Sequence, residues 1–198
     1  MRPARRASLG SDDIRELLIE LSRLLQAMGA AADIYLVVGA AIAVEFDSRR
    51  STTDIDAVYK PEQTVQEIAT QMAAELGLDP RWLNNAARAY VPDGEDPEAA
   101  EMAIADNLML RFASPRFLLA MKLAAGRDRD IPDIAVLCRA LEIRTAEAAV
   151  AVAIELYGED SIQLSNRDDL LLVAHEALNS FRWRVPQGNI PVDLLTPY

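Results

Sequence analysis

Apolar residues recur at helical spacing through residues 11–29, where Ile14, Leu17, Leu18, Leu21, Leu24, Leu25 and Met28 fall on one face. Ser11 stands where an N-cap belongs, acidic residues fill the first turn, and Gly29 marks the stop. The period then changes. Residues 34–38 are short, apolar and β-branched, and they end at Gly39, which predicts a buried strand. The small residues of GAAIAVEF predict a short helix. After the polar turn DSRRSTT, residues 54–59 alternate polar and apolar side chains as a second strand. Pro61 opens a helix to residue 76, with Val65, Ile68, Met72 and Leu76 on one face and Gly77 closing it.

Residues 79–98 contain three of the ten prolines and the acidic run PDGEDPE, so they are expected to be loop, with a short helix over residues 82–88. Residues 107–113 read as a third strand. Ser114 and Pro115 are N-cap and N1 signals for a helix that ends at Gly126, and further helices follow over residues 131–141, 145–157 and 167–179. The tail FRWRVPQGNIPVDLLTPY has three prolines and no helical period, and is expected to wrap the body or stay mobile. Strands gather early and helices late. The fold class is therefore α+β: a small mixed sheet with flanking helices in residues 1–113, a helical part in 114–180, and an extended tail in 181–198. There is no internal repeat.

A length of 198 residues fits one or at most two domains, and 51% hydrophobic with 26% charged residues excludes a disordered or collagen-like chain. The single cysteine, Cys138, cannot form an internal disulfide, and no apolar run is long enough to span a bilayer. The expected location is cytoplasmic, with no membrane partner. The basic start MRPARRASLG runs into the charged SDDIRELLIE instead of an apolar core, so it fails as a secretory signal and reads as a loose arm. Twenty Lys and Arg against thirty-one Asp and Glu give a net charge of −11. That charge repels nucleic acid at long range while leaving room for a local basic site. It suits solubility, and it also suits metal binding through carboxylates.

Asp54 and Asp56 are the first candidates for chemistry. At i, i+2 on a strand both carboxylates project from one face, roughly 7 Å apart along the backbone at about 3.3 Å per residue, with Ile55 and Val58 expected to point into the core. Such oxygen donors suit Mg²⁺ or Mn²⁺ and in-line displacement at phosphorus, although a solvent-facing pair reads the same way. Upstream, Gly39 at a strand end before a small-residue helix leaves backbone N–H groups where a phosphate can sit. A second group lies in FLLAMKLAAGRDRDIPD. Lys122 interrupts an apolar stretch, so its ammonium must snorkel out or meet an anion. Arg127 and Arg129 follow, and with Arg111 and Arg116 they make a basic concentration suited to triphosphate. Asp130 and Asp133 lie at i, i+3 on one helix face. Arg50 and Thr52 either contact phosphate or cap the turn before the acidic strand. His175 has no Cys or His neighbour and reads as structural, Cys138 reads as a core thiol, and Trp82 reads as a helix anchor or a base-stacking ring. There is no P-loop motif.

In order and spacing, VVGAAIAVEFDSRRSTTDIDAVY resembles the active-site hairpin of the polymerase-β-like nucleotidyltransferase superfamily. With R-S-T-T-D-I-D, WLNNAARAYVP and SPRFLLAMKLAAGRDRDIPDIAVLCRALEI, the resemblance extends over residues 34–157 to bacterial nucleotidyltransferases grouped with the AbiEii and MenT toxins. It implies transfer of a nucleotide from an NTP, with Mg²⁺ (or Mn²⁺), to a hydroxyl acceptor. For MenT-type members the acceptor is the 3′ end of tRNA, and a partner antitoxin relieves the resulting growth arrest. By the same resemblance Asp54 and Asp56 are the metal-binding carboxylates, and Gly39 with the N–H of Ala40 begins the nucleotide-phosphate loop. Lys122 faces the triphosphate, and Asp133, with Asp130 as the alternative, is the remaining active-site aspartate. Ala40 departs from the Ser or Gly usual after the motif glycine, which removes a hydroxyl and keeps the backbone donor. Two rival readings stand beside this one. One is a catalytically silent nucleotidyltransferase-fold binding or antitoxin partner, favoured by Ala40 and the acidic charge. The other is an enzyme that nucleotidylates a protein or a small molecule.

Overall fold

The structure, a computed structural model, describes residues 9–37 and 52–180. The short helix expected in GAAIAVEF and the C-terminal tail lie outside the described residues. The first helix, α1 (Ser11–Ala27), carries the buried stripe Ile14, Leu17, Leu18, Leu21 and Leu25. Its cap is Gly10 and not Ser11, which is the first helical residue; the Gly10 N–H donates to Asp13 Oδ2 at 3.0 Å. The arm expected before it is tied down at its end. Leu9 is 2% exposed, and it exchanges backbone hydrogen bonds with Thr52.

Among the described residues, five strands form one mixed sheet, in the order β3-β2-β1-β5-β4. They are β1 (Ala32–Leu36), β2 (Ile55–Lys60), β3 (Leu83–Asn84), β4 (Ala100–Ala105) and β5 (Leu108–Phe112). β1 runs antiparallel to β2 and parallel to β5, while β3 is parallel to β2 and β4 antiparallel to β5. Side chains alternate across it. Ile34, Leu36, Ile55, Ala57, Tyr59, Leu108, Leu110 and Phe112 enter the core shared with α1 and α2 (Glu62–Leu76). Tyr35, Val37 and Val58 face the other core, built from the later helices. Val58 therefore shares the face of Asp56, two residues away, and the residues that oppose the acids are Ile55, Ala57 and Tyr59.

The later helices are α3 (Pro115–Ala125), α4 (Ile131–Ala140), α5 (Ala146–Tyr157) and α6 (Arg167–Ser180). Their local signals match the sequence reading. Ser114 accepts from the Phe117 N–H with Pro115 at the first position, and Thr145 accepts from the Ala148 N–H. Gly77 and Gly126 end α2 and α3 at φ of 68° and 57°, a backbone region that favours glycine.

Two expectations fail between α2 and β5. Residues 82–88 are not a helix: Leu83 and Asn84 pair with β2, and a 3₁₀ turn covers Ala86–Tyr90. β4 has no counterpart in the sequence reading, because AEMAIA is composed of helix-favouring residues and lies almost wholly exposed at the sheet edge. Among the described residues, no helix is long and apolar enough to cross a membrane.

Candidate functional site

Asp54 sits in the bend before β2, and Asp56 lies within the strand on the face turned toward the helical half. Their surroundings differ. Thr53 Oγ1 donates to Asp54 Oδ1 at 3.0 Å, and Asn84 Nδ2 donates to Asp54 Oδ2 at 3.1 Å. Burial pushes the Asp56 carboxyl above its ordinary value, and the charge of Asp54 adds to the effect. Hydrogen bonding from Asn84 and the charges of Arg127 and Arg129 oppose it. Thr52 takes the turn-capping role, its hydroxyl donating to the Asp54 carbonyl at 2.8 Å.

The second group comes from the turn between α3 and α4. Gly126 reverses the chain after α3, a 3₁₀ turn spans Asp128–Asp130, and α4 begins at Ile131. Lys122 is 2% exposed and does not snorkel. Its Nζ lies 2.9 Å from Asp130 Oδ1 and 2.7 Å from Asp133 Oδ2. The apolar surroundings noted in the sequence thus enclose an ammonium neutralised by two carboxylates from the following turn and helix. Arg127 stacks on the Tyr90 ring, 5.4 Å from its centroid, so the guanidinium is held over an aromatic face.

Both groups line one pocket of about 190 Å³. Asp54 and Asp56 form one wall, Lys122, Arg127, Arg129 and Asp130 another, and Ala87, Tyr90 and Met121 contribute apolar surface. Asp130 reaches this lining, while Asp133 meets Lys122. The charges of Arg127 and Arg129 also reach Asp56, whose carboxyl they draw down against its burial. Two members of the expected basic concentration lie elsewhere. Arg111 stacks on Tyr35 at 5.7 Å, and Arg116 pairs with Glu155 at 2.8 Å. Gly39, Ala40 and Arg50 lie outside the described residues.

The pocket adds residues that the sequence reading passed over. Arg81 and Tyr90 line it, and Asn84 stands behind the acids. All three fall within RWLNNAARAY, but nothing in that run shows that Asn84 will lie in register with Asp56. Among the described residues there is no group of three or more His, Cys, Asp or Glu side chains arranged to hold a metal. Two neighbouring carboxylates nevertheless fit Mg²⁺ or Mn²⁺ of the kind that keeps several waters and is shared with substrate phosphates. The other candidates stay apart. Trp82 is buried and its indole N–H donates to the Ala69 carbonyl at 2.9 Å, which makes it a core anchor. Cys138 is buried, and His175 is exposed on α6.

A family described as "nucleotidyltransferase of unknown function (DUF6036)" matches the chain over residues 15–148. The chain is similar at 15% identity to a solved structure, an antigenic nucleotidyltransferase-like protein from Paracoccidioides brasiliensis. That likeness covers 86% of this chain and 95% of the other, with a TM-score of 0.42. No curated protein matches the chain.

Proposed function

Because the chain belongs to the nucleotidyltransferase family that it matches over residues 15–148, we propose that it transfers a nucleotide from an NTP to a hydroxyl acceptor with Mg²⁺ or Mn²⁺. The observation that carries this reading is the convergence of the Asp54–Asp56 pair and the Lys122–Asp130 turn on one pocket. Asp54 and Asp56 hold the divalent cation, which supplies charge neutralisation at the reacting phosphate. Arg127 and Arg129, both exposed at the pocket, meet the remaining phosphate oxygens. Lys122 lines the same pocket, with Asp130 and Asp133 fixing and neutralising its ammonium. Since that trio carries a formal net charge of −1, the neutralisation falls to the arginines and the cation. Catalysis of this kind comes from positioning and electrostatics.

For the acceptor, the reading is the 3′ end of tRNA, with the protein acting as the toxin of a toxin–antitoxin pair. Its support is local: Arg81, Arg127 and Arg129 put exposed positive charge at the pocket of a protein whose net charge is −11. The same net charge favours a second reading, a protein or small-molecule acceptor.

The deciding experiment incubates the protein with each α-labelled NTP, Mg²⁺ and total cellular RNA, beside Asp56→Ala. Label at tRNA size, lost in the variant, is the expected result. Label on protein or on a small molecule would overturn the tRNA acceptor and leave the transferase. No label on any acceptor, with cation binding intact, would replace the enzyme by a silent binding partner.

A further inference from the structure

Asn84 is 8% exposed and belongs to a strand of only two residues, where it lies in register with Asp56. Both ends of its amide have partners. Oδ1 accepts from the Ala86 N–H at 2.9 Å, while Nδ2 donates to the Arg81 carbonyl at 3.2 Å and to Asp54 Oδ2 at 3.1 Å. These partners set the amide one way round. A flip would place NH₂ against the Ala86 N–H and a carbonyl against both the Arg81 carbonyl and the Asp54 carboxylate. Asp54 itself precedes β2, and the Thr52 hydroxyl holds its carbonyl at 2.8 Å, which anchors the backbone and leaves the carboxylate to other partners. Its carboxylate direction depends on the side chains that hold it. Of these, Thr53 is exposed and Asn84 is enclosed.

We infer that Asn84 is a positioning residue, whose amide N–H holds one oxygen of Asp54 and turns the carboxylate toward the cation it shares with Asp56. This rests on reading Asp54 and Asp56 as the divalent-cation site. A neutral donor is the suitable group at this place. It restrains one carboxylate beside another without adding a third negative charge to the site, and it takes no proton from either. Groups that orient a metal ligand in this way typically contribute about 10- to 100-fold to metal affinity.

The test measures Mn²⁺ alone, without nucleotide, by the electron paramagnetic resonance signal of the free ion, with thermal melts run in parallel. Asn84→Ser keeps an oxygen that accepts from the Ala86 N–H two residues on, as serine does in turns, but is too short to reach Asp54. Asn84→Ala removes the contacts to Ala86, Arg81 and Asp54. The expected result is Mn²⁺ binding weakened roughly tenfold in each variant, with Asn84→Ser melting close to the wild type. A brace for the 81–86 turn would show the reverse pattern, a lowered melting temperature in Asn84→Ala with Mn²⁺ affinity unchanged. Folded Asn84→Ser that binds Mn²⁺ as tightly as the wild type overturns the inference and leaves the Asp54–Asp56 reading standing. Wild-type protein that binds no Mn²⁺ at millimolar concentration overturns both.

Discussion

Replacing Lys122 by methionine keeps a long, largely apolar side chain and removes only the ammonium. In the native protein that ammonium sits 2.9 Å from Asp130 Oδ1 and 2.7 Å from Asp133 Oδ2, with side-chain exposures of 2%, 10% and 16% in the order Lys122, Asp130, Asp133. Taking away the central positive charge leaves two carboxylates facing each other with little access to water. Removing one partner of a buried ion pair costs about 3–5 kcal/mol, since the charge left behind loses its counter-ion where water has little access. In a domain of this length each kcal/mol lowers the melting temperature by about 2–4 °C, so Lys122→Met is expected to melt roughly 6–20 °C below the wild type. The assay is thermal unfolding followed by circular dichroism in metal-free buffer at neutral pH. The triple variant Lys122→Met/Asp130→Asn/Asp133→Asn removes the stranded charges and should recover most of the loss. Two results would refute the reasoning. A loss below about 1 kcal/mol in the single variant is the size of a solvated surface pair. A triple variant that melts as low as the single one would mean that charge is not the cause.

Asp56→Asn is expected to stabilise the metal-free protein at neutral pH. Burial and the neighbouring Asp54 raise the Asp56 carboxyl above 3.8, so the fold binds this proton more tightly than the unfolded chain does. Wild-type stability therefore falls relative to the variant as pH rises through the raised value, and the two converge below about pH 4, where both states hold the proton. Matched melts from pH 4 to 7 check this, and a gap independent of pH would contradict it. Cys138, 1% exposed and with its thiol pushed up to about 11 by burial, should react with a thiol reagent at pH 8 only after denaturant is added. Rapid modification of the native protein would show that the helical core opens readily.

The helices were legible because their signals are local. The stripe of α1, the Ser114-Pro115 start of α3 and the glycine ends of α2 and α3 each act within a few residues. Asp54 and Asp56 were legible for the same reason, as two acids at strand spacing beside apolar neighbours. The edge strand β4 was not, because pairing with β5 and not its own composition makes it a strand. Arg111 and Arg116 look like part of the basic group in the chain, yet a strand face and a helix surface turn them to Tyr35 and Glu155.

By itself, the sequence determined the α+β class, the order of most elements and the residue types able to handle a cation and a phosphate. Periodicity, caps and i, i+2 spacing are properties of neighbouring residues. Only the tertiary structure decided that Lys122 meets Asp130 and Asp133 instead of solvent, and that Asn84 lies in register with Asp56. Only the structure brought the Asp54–Asp56 wall to the α3–α4 turn, about seventy residues further along the chain. Those contacts depend on how the sheet packs against the helical half, and no local pattern encodes that packing.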